Sequence, residues 1–281
     1  MGLVVAFVAI LAATYADPAS AQRVQTPTVP SFWNSKERFI KPNLKGIQRL
    51  RFLTVTDFPP FSYIDREKRL SGFHVDLARA ICRELEVLPV CQIQGLPFGE
   101  INRALLGGGG EAALAGHAIT DALRRQLIFS RPYFRLPARF LAKEDASLKP
   151  PMVIALKDRS VGVVDGTSHA AYAQAYFGDM RLRLFATRDD ALAALEKGEV
   201  EAVFGDALQL AFYLQRKGTD ACCRFAGKAY LAPAYFGSGL AIASAPGNRE
   251  LVDGINFALR AIHDKGIFAE LYLRYFPISL Y

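Results

Sequence analysis

Beyond residue 13 the chain has no apolar run long enough to cross a bilayer, which excludes any later membrane-spanning helix. Cysteine and histidine are scarce, four of each in 281 residues. No two cysteines stand as C-x-x-C and the histidines are scattered, so no metal site is expected. Gly at 22 and Pro at 15 are too few for a fibrous or low-complexity chain. There is no internal repeat. No nucleic-acid-binding motif accompanies the formal charge of +7, so the basic balance favours anionic surfaces without specifying one. A four-glycine run, Gly107 to Gly110, is not a phosphate loop: it leads from a helix into a strand and no Lys-Ser/Thr follows. No cofactor is expected. What is present, 51% hydrophobic and 22% charged residues, is enough to build one large domain or two smaller ones.

The one long apolar run is Gly2 to Ala13, followed by Ala19-Ser20-Ala21. A short apolar stretch ending in an A-x-A pattern predicts a secretory signal peptide, residues 1–21, cleaved after Ala21. No Lys or Arg precedes the run, and an N-terminal membrane anchor is the other reading. No cysteine follows the pattern, which argues against a lipid anchor. Export makes the cysteines informative, because disulfides persist outside the cytosol. A bridge between Cys82 and Cys91 would close a short helix-to-strand loop and contribute about 2–3 kcal/mol. Cys222 and Cys223 are adjacent, and since vicinal disulfides are rare they are expected as two buried thiols.

Residues 22–47, punctuated by Pro27, Pro30 and Pro42, read as an extended arm that packs through Phe32 and Trp33. Arg51 to Thr56 predicts a strand, stopped by Asp57-Phe58-Pro59-Pro60. Phe73, Leu77, Ile81 and Leu85 recur at spacing four, the stripe of an amphipathic helix. Strand and helix patterns then alternate. Val90–Ile93 predicts a strand, Gly99–Leu106 a helix, Ala112–Ala115 a strand, and Thr120-Asp121 a helix start. Phe140–Ala142 and Val161–Val164 predict strands, and Gly166-Thr167-Ser168 a helix start. Leu182–Phe185 predicts a strand, Thr187-x-x-Asp190 a capping box with a helix to Glu196, and Ala202–Phe204 a strand. Gly239–Ala243 predicts a strand, Asn248 caps a further helix ending at Gly266, and a last helix runs to Tyr275. This alternation is the signature of α/β architecture with largely parallel sheets. Ligands of such sheets bind outside the carboxyl ends of strands, which selects Asp57, Gly116, Gly166 and Asp206.

The segments TVTDFPPFSY, GFHVDLARAIC, EAALAGHAIT, FSRPYF, VGVVDGTSHAAY and VEAVFGD stand in an order and spacing that resemble the family-3 extracellular solute-binding proteins, the periplasmic receptors of polar-amino-acid ABC importers. The resemblance covers roughly residues 48–276. It implies a two-lobed, type II periplasmic-binding-protein fold with two hinge crossings, near Arg135–Ala138 and Pro233–Gly237. Lobe 1 would comprise 48–137 plus 237–281, and lobe 2 would comprise 138–236. It also implies a Cys82–Cys91 disulfide, a monomer, a small-molecule ligand between the lobes, and an ABC permease and ATPase as partners. No nucleic acid is implied.

Carried over residue by residue, the resemblance has Asp206 receive the ligand's ammonium group. A carboxylate at a strand end in a partly dry cleft suits a cation, although the same position also suits a helix cap. Thr167 and Ser168, at a helix start with free N–H groups, would take an anion, and His169 the ligand's side chain. Phe58, Phe61 and Phe98 would supply the lobe-1 walls, with Phe61 the one most suited to the core, and Asp57 joins them as a strand-end acid. Gly116 would offer its carbonyl, while strand alternation turns His117 away. The basic stretch Arg124 to Lys143 reads as a solvated face and hinge contacts, with docking to a membrane partner or attraction of an anionic ligand as the alternative.

Two positions depart from the family. Amino-acid receptors of this type carry Thr/Ser and a carboxylate-clamping Arg where this chain has Ala118 and Leu123. Arg124 is one residue late, a rotation of about 100° on a helix. The loss of that charge-assisted bond makes ordinary free amino acids poor ligands and directs expectation to a small, amine-bearing, amino-acid-like ligand. A ligand-binding sensor without transport fits the same cleft. So does a periplasmic enzyme resembling cyclohexadienyl dehydratases, whose general acid would come from Asp57, Asp165 or Asp206.

Overall fold

The structure, a computed structural model, describes residues 29–33, 36–44, 46–218, 221–276 and 279–281. The expected signal peptide 1–21 and the first part of the arm lie outside these residues.

In chain order the elements are β1 (Leu50–Thr54), β2 (Asp57–Phe58), β3 (Ser62–Ile64), β4 (Leu70–Ser71), α1 (Phe73–Glu84), β5 (Cys91–Gly95), α2 (Phe98–Leu106), β6 (Ala112–Ala113), α3 (Asp121–Arg124) and β7 (Ile128–Phe129). There follow β8 (Ala138–Lys143), α4 (Met152–Ala155), β9 (Ser160–Val164), α5 (Ser168–Tyr176), β10 (Arg181–Phe185), α6 (Arg188–Lys197), β11 (Ala202–Asp206), α7 (Ala207–Lys217) and β12 (Cys223–Tyr230). The chain closes with α8 (Pro233–Phe236), β13 (Ala243–Ser244), α9 (Arg249–Asp264) and α10 (Ile267–Tyr275).

Two five-stranded sheets organise the molecule, in the orders β5-β1-β6-β13-β7 and β10-β9-β11-β8-β12. This is the two-lobed α/β fold. Within each, the central strands run parallel: β1 with β5 and β6, β9 with β10 and β11. Parallel neighbours require helical crossovers, which bury a strand on both faces. Hence Leu50, Phe52, Leu53 and Thr54 of β1 are all buried. Helix α1 turns its stripe of Phe73, Leu77 and Ile81 into the first core, as its spacing predicts. It starts at Gly72, whose φ of 125° and whose approach of an added Cβ to 2.5 Å from the Phe61 carbonyl oxygen admit glycine only. The first core centres on the rings of Phe61, Phe73, Phe134, Tyr272 and Phe276; the second on Phe140, Phe177 and Phe204.

The chain passes between the sheets twice. It leaves the first beyond the Phe134–Leu240 bridge and enters β8 at Ala138, then returns after Tyr230 to Leu240. Asp206 of β11 lies opposite Ala138 in the β8 register, and the Ala207 N–H donates to the Pro137 carbonyl at 2.9 Å.

Several expectations need correction. Cys222 and Cys223 are not free thiols but form a vicinal disulfide. Cys222 precedes β12, so strand alternation does not force the two side chains to opposite faces. Cys82 and Cys91 are also bonded, joining the end of α1 to the start of β5. Asn248 precedes α9 without capping it: its amide donates to the Glu111 carbonyl and to Ser244 Oγ, both at 3.1 Å. The strand expected over Gly239–Ala243 shortens to Ala243–Ser244, because Leu240 makes single bridges to Ala118 and Phe134 rather than a ladder. In the described part of the arm, Leu44 is buried in the first core, Trp33 meets Phe39 edge-on at 5.6 Å, and Phe32 lies 5.8 Å from Tyr281.

Candidate ligand-binding site

Strands β9 and β11 are parallel neighbours, so their carboxyl ends emerge side by side. The turn after β9 feeds α5, whose N-cap is Thr167: its Oγ1 accepts from the Ala170 N–H at 3.2 Å and donates to the Val164 carbonyl at 2.7 Å. The Thr167 hydroxyl is thus committed locally, and Ser168 is exposed beside it. Strand β11 runs straight into α7, and Asp206 is at once the last strand residue and the helix cap, its Oδ1 accepting from the Gln209 N–H at 2.9 Å. Between these two helix starts opens a cavity of about 290 Å³. Its described lining includes Thr167, Ser168, His169, Arg188, Asp206 and Gln209, every one of them downstream of β8.

Burial pushes the Asp206 carboxyl up from its ordinary value, against the pull of the Gln209 and Leu208 N–H groups and of Arg188. A carboxylate held short of full stabilisation is one that gains from a cation. His169 stacks on Phe236 with centroids 4.9 Å apart, and burial lowers its pKa, so it is an uncharged wall at neutral pH. Tyr172 sits 5.2 Å from the same Phe236 ring and extends that aromatic surface.

On the first lobe, Asp57 is exposed at the start of β2 and Phe58 is half-buried, stacked on Phe61 at 4.8 Å. Gly116 makes room for Phe58: its φ is 78°, and an added Cβ would stand 2.8 Å from Phe58 Cε1. His117 is buried, as alternation predicts, with Nε2 3.0 Å from Asn102 Oδ1. Burial drives its pKa to about 4. His74 lies deeper, 2.7 Å from the Tyr133 hydroxyl, with a pKa lowered to about 3 by burial and by His117. Both imidazoles are therefore neutral.

Thr167, Ser168, His169 and Asp206 thus share one cavity. Phe61 does not reach a ligand surface: it is fully buried among Phe58, Phe73 and Phe134, and it backs Phe58 instead. Phe98 stands 56% exposed at the first position of α2, its ring 5.5 Å from His117. Ala118 is exposed and bridges to Leu240. Leu123, in the one-turn helix α3, packs on the apolar cluster of Leu53, Leu105 and Leu127. Sequence reasoning overlooked Arg188 and Gln209. Thr187 caps α6, its Oγ1 accepting from the Asp190 N–H at 3.1 Å and donating to the Asp190 carboxylate at 2.7 Å rather than the reciprocal backbone bond of a full capping box, and the pattern pointed to the cap rather than to the residue after it.

The sequence model of bacterial extracellular solute-binding proteins, family 3, matches residues 50–278. The chain belongs to this family. An arginine-binding periplasmic protein of Mannheimia haemolytica is 32% identical over 76% of this chain and 86% of its own length. The L-arginine-binding protein of Pseudomonas aeruginosa is 30% identical, covering 80% and 86%. Among solved structures, the second substrate-binding domain of a putative amino-acid ABC transporter from Streptococcus pneumoniae superposes with a TM-score of 0.70 at 20% identity, over 81% of this chain and all of that one. The L-cystine receptor of Neisseria gonorrhoeae, in its unliganded open conformation, gives 0.70 at 19% identity, over 83% and 94%. These last two likenesses concern the fold.

Proposed function

We propose that this protein is the periplasmic receptor of an ABC importer and captures a small, amine-bearing, amino-acid-like ligand between its lobes. The observation that carries the reading is Asp206: a carboxylate at a strand end, its pKa raised by burial, in a cavity that also holds the start of α5. The ligand's ammonium group sits on Asp206 and its polar remainder near Ser168, with His169 as a wall. Phe58, Asp57 and the Gly116 carbonyl close from the first lobe, which comprises residues 48–137 and 237–281 against 138–236. Relatives named as arginine-binding periplasmic proteins support a receptor rather than an enzyme. The protein works as a monomer, after cleavage behind Ala21, and delivers to a permease and ATPase.

The test is a thermal-shift and calorimetric screen of amines, amino acids, opines and short peptides. The expected result is binding of amine-bearing compounds only, abolished in Asp206→Ala, with small-angle scattering showing lobe closure on binding. Tight binding of an anion without an amine, or ligand binding without closure, would overturn the reading.

A further inference from the structure

Asp206 accounts for one charge of the cavity; its lining carries a second. Arg188 is the only Lys or Arg among the described lining residues. It occupies the first position of α6, where a cation is disfavoured by the helix dipole, so local helix chemistry does not explain it. Nor does it neutralise Asp206 by direct contact, since no ion pair joins the two among the described residues. Gln209 stands between them: its Oε1 accepts from Arg188 Nη1 at 2.8 Å while its own N–H donates to Asp206 Oδ1. The Arg188 Nε is buried without a hydrogen-bond partner, and its ion pair is with Asp189 Oδ1 at 3.6 Å, on a side chain that is 76% exposed and so screened by solvent. The cavity therefore has an anion and a cation in its lining, bridged by Gln209. That is a two-point receptor for a dipolar molecule.

We propose that Arg188 holds the carboxylate of the ligand whose amine Asp206 receives. The proposal rests on the receptor reading above and refines it. The anion of an α-amino acid is gripped from the second lobe, by the Arg188 guanidinium beside the α5 start, so the apolar Leu123 on the first lobe does not bar free amino acids. Guanidinium suits this task, since its planar fork offers parallel donors to both carboxylate oxygens.

The experiment compares L-amino acids with the amines left by their decarboxylation: L-arginine with agmatine, L-histidine with histamine. Affinities are measured by calorimetry on wild type, Arg188→Met, Arg188→Lys and Asp206→Asn. Wild type should prefer the acid of at least one pair by roughly ten- to a hundredfold, the worth of a charge-assisted bond. Arg188→Met should bring that preference to within about threefold, the acid losing far more than the amine, and Arg188→Lys should restore part of it. Arg188 is half-buried, and unchanged melting of the unliganded variants establishes that they fold. Equal loss for acid and amine in Arg188→Met, or a wild type that binds both alike, overturns the Arg188 assignment and leaves the receptor reading standing. Loss of both members in Asp206→Asn supports that reading on its own; a wild type that binds no member of any pair overturns both.

Discussion

On the proposed reading Asp206 serves two ends, helix cap and cation receptor, whose energetics oppose each other, and two substitutions separate them. Asp206→Asn keeps a side-chain oxygen for the Gln209 N–H, and Asn is as good a cap as Asp. It removes the charge. Asp206→Ala removes both charge and cap. Both should lose the ligand: truncating one partner of a desolvated charge pair costs about 2–5 kcal/mol, roughly thirty- to several-thousandfold in affinity. Their unliganded stabilities should diverge. The lost cap costs about 1 kcal/mol, a Tm roughly 2–4 °C lower for Ala than for Asn in a chain of this size. Relative to wild type, Asn should be neutral or stabilising. The sign follows from linkage. Because the folded carboxyl titrates above its ordinary value of 3.8, the folded state holds its proton longer than the unfolded chain. Wild-type stability is then lost as pH rises from about that value through the folded pKa, and stays lost above it. Asp206→Asn escapes this loss. Urea unfolding of the unliganded proteins at pH 3.5 and pH 7, beside calorimetry with ligand, reads all three effects. A wild type that gains on Asp206→Asn as pH rises, or Asn and Ala variants of equal stability, would refute the reasoning.

Four further outcomes are expected. Replacing Cys82 and Cys91 by Ser should cost about 2–3 kcal/mol in urea unfolding, because that bridge closes a loop. The same change at Cys222 and Cys223 closes no loop and should leave stability within about 0.5 kcal/mol. Gly116→Ala should destabilise by about 1–3 kcal/mol, from a positive φ and the forced movement of Phe58, and should weaken ligand binding in calorimetry. The Glu111 carboxylate opposes its burial through Arg51, accepting from the Arg51 N–H at 2.6 Å and from Nη2 at 3.0 Å, and its pKa is lowered. Its contribution, about 1 kcal/mol after allowance for solvent, is present above pH 4.5 and fades as pH falls through the folded value. Glu111→Gln should therefore lose that much at pH 7 and progressively less as pH falls below 4.5.

Much of the fold was legible because parallel strands and amphipathic helices leave strong periods. Helix α1 was readable from Phe73, Leu77 and Ile81, and β9 from its run of valines. Strand β12 was not, since its register shifts between Ala226 and Tyr230 and Gly227 sits at φ 69°, breaking the alternation. Helix α7 was hidden because it follows β11 without a turn, Asp206 belonging to both. For the site, strand ends identified Asp206 and the Thr167–Ser168 turn. Arg188 escaped because it comes from a helix start one crossover away, and only folding sets it beside β11. Nothing local distinguishes Leu123 packed on Leu105 and Leu127 from Leu123 facing a cleft.

Asp206 stands directly across from Ala138, the residue at which the chain first enters the second sheet, and Ala207 is bonded to Pro137 in the crossing itself. Any swing of one sheet about that crossing displaces a point in proportion to its distance from the axle. Asp206 sits almost on it, while the α5 start lies two strands away, beyond β11 at the end of β9. If Asp206 receives the ligand as proposed, that charge travels less than the α5 start, and a bound cation can stay docked through the stroke. On that reading capture and closure are separable: the grip forms on a nearly stationary point, and the long-radius rim sets when the door is shut.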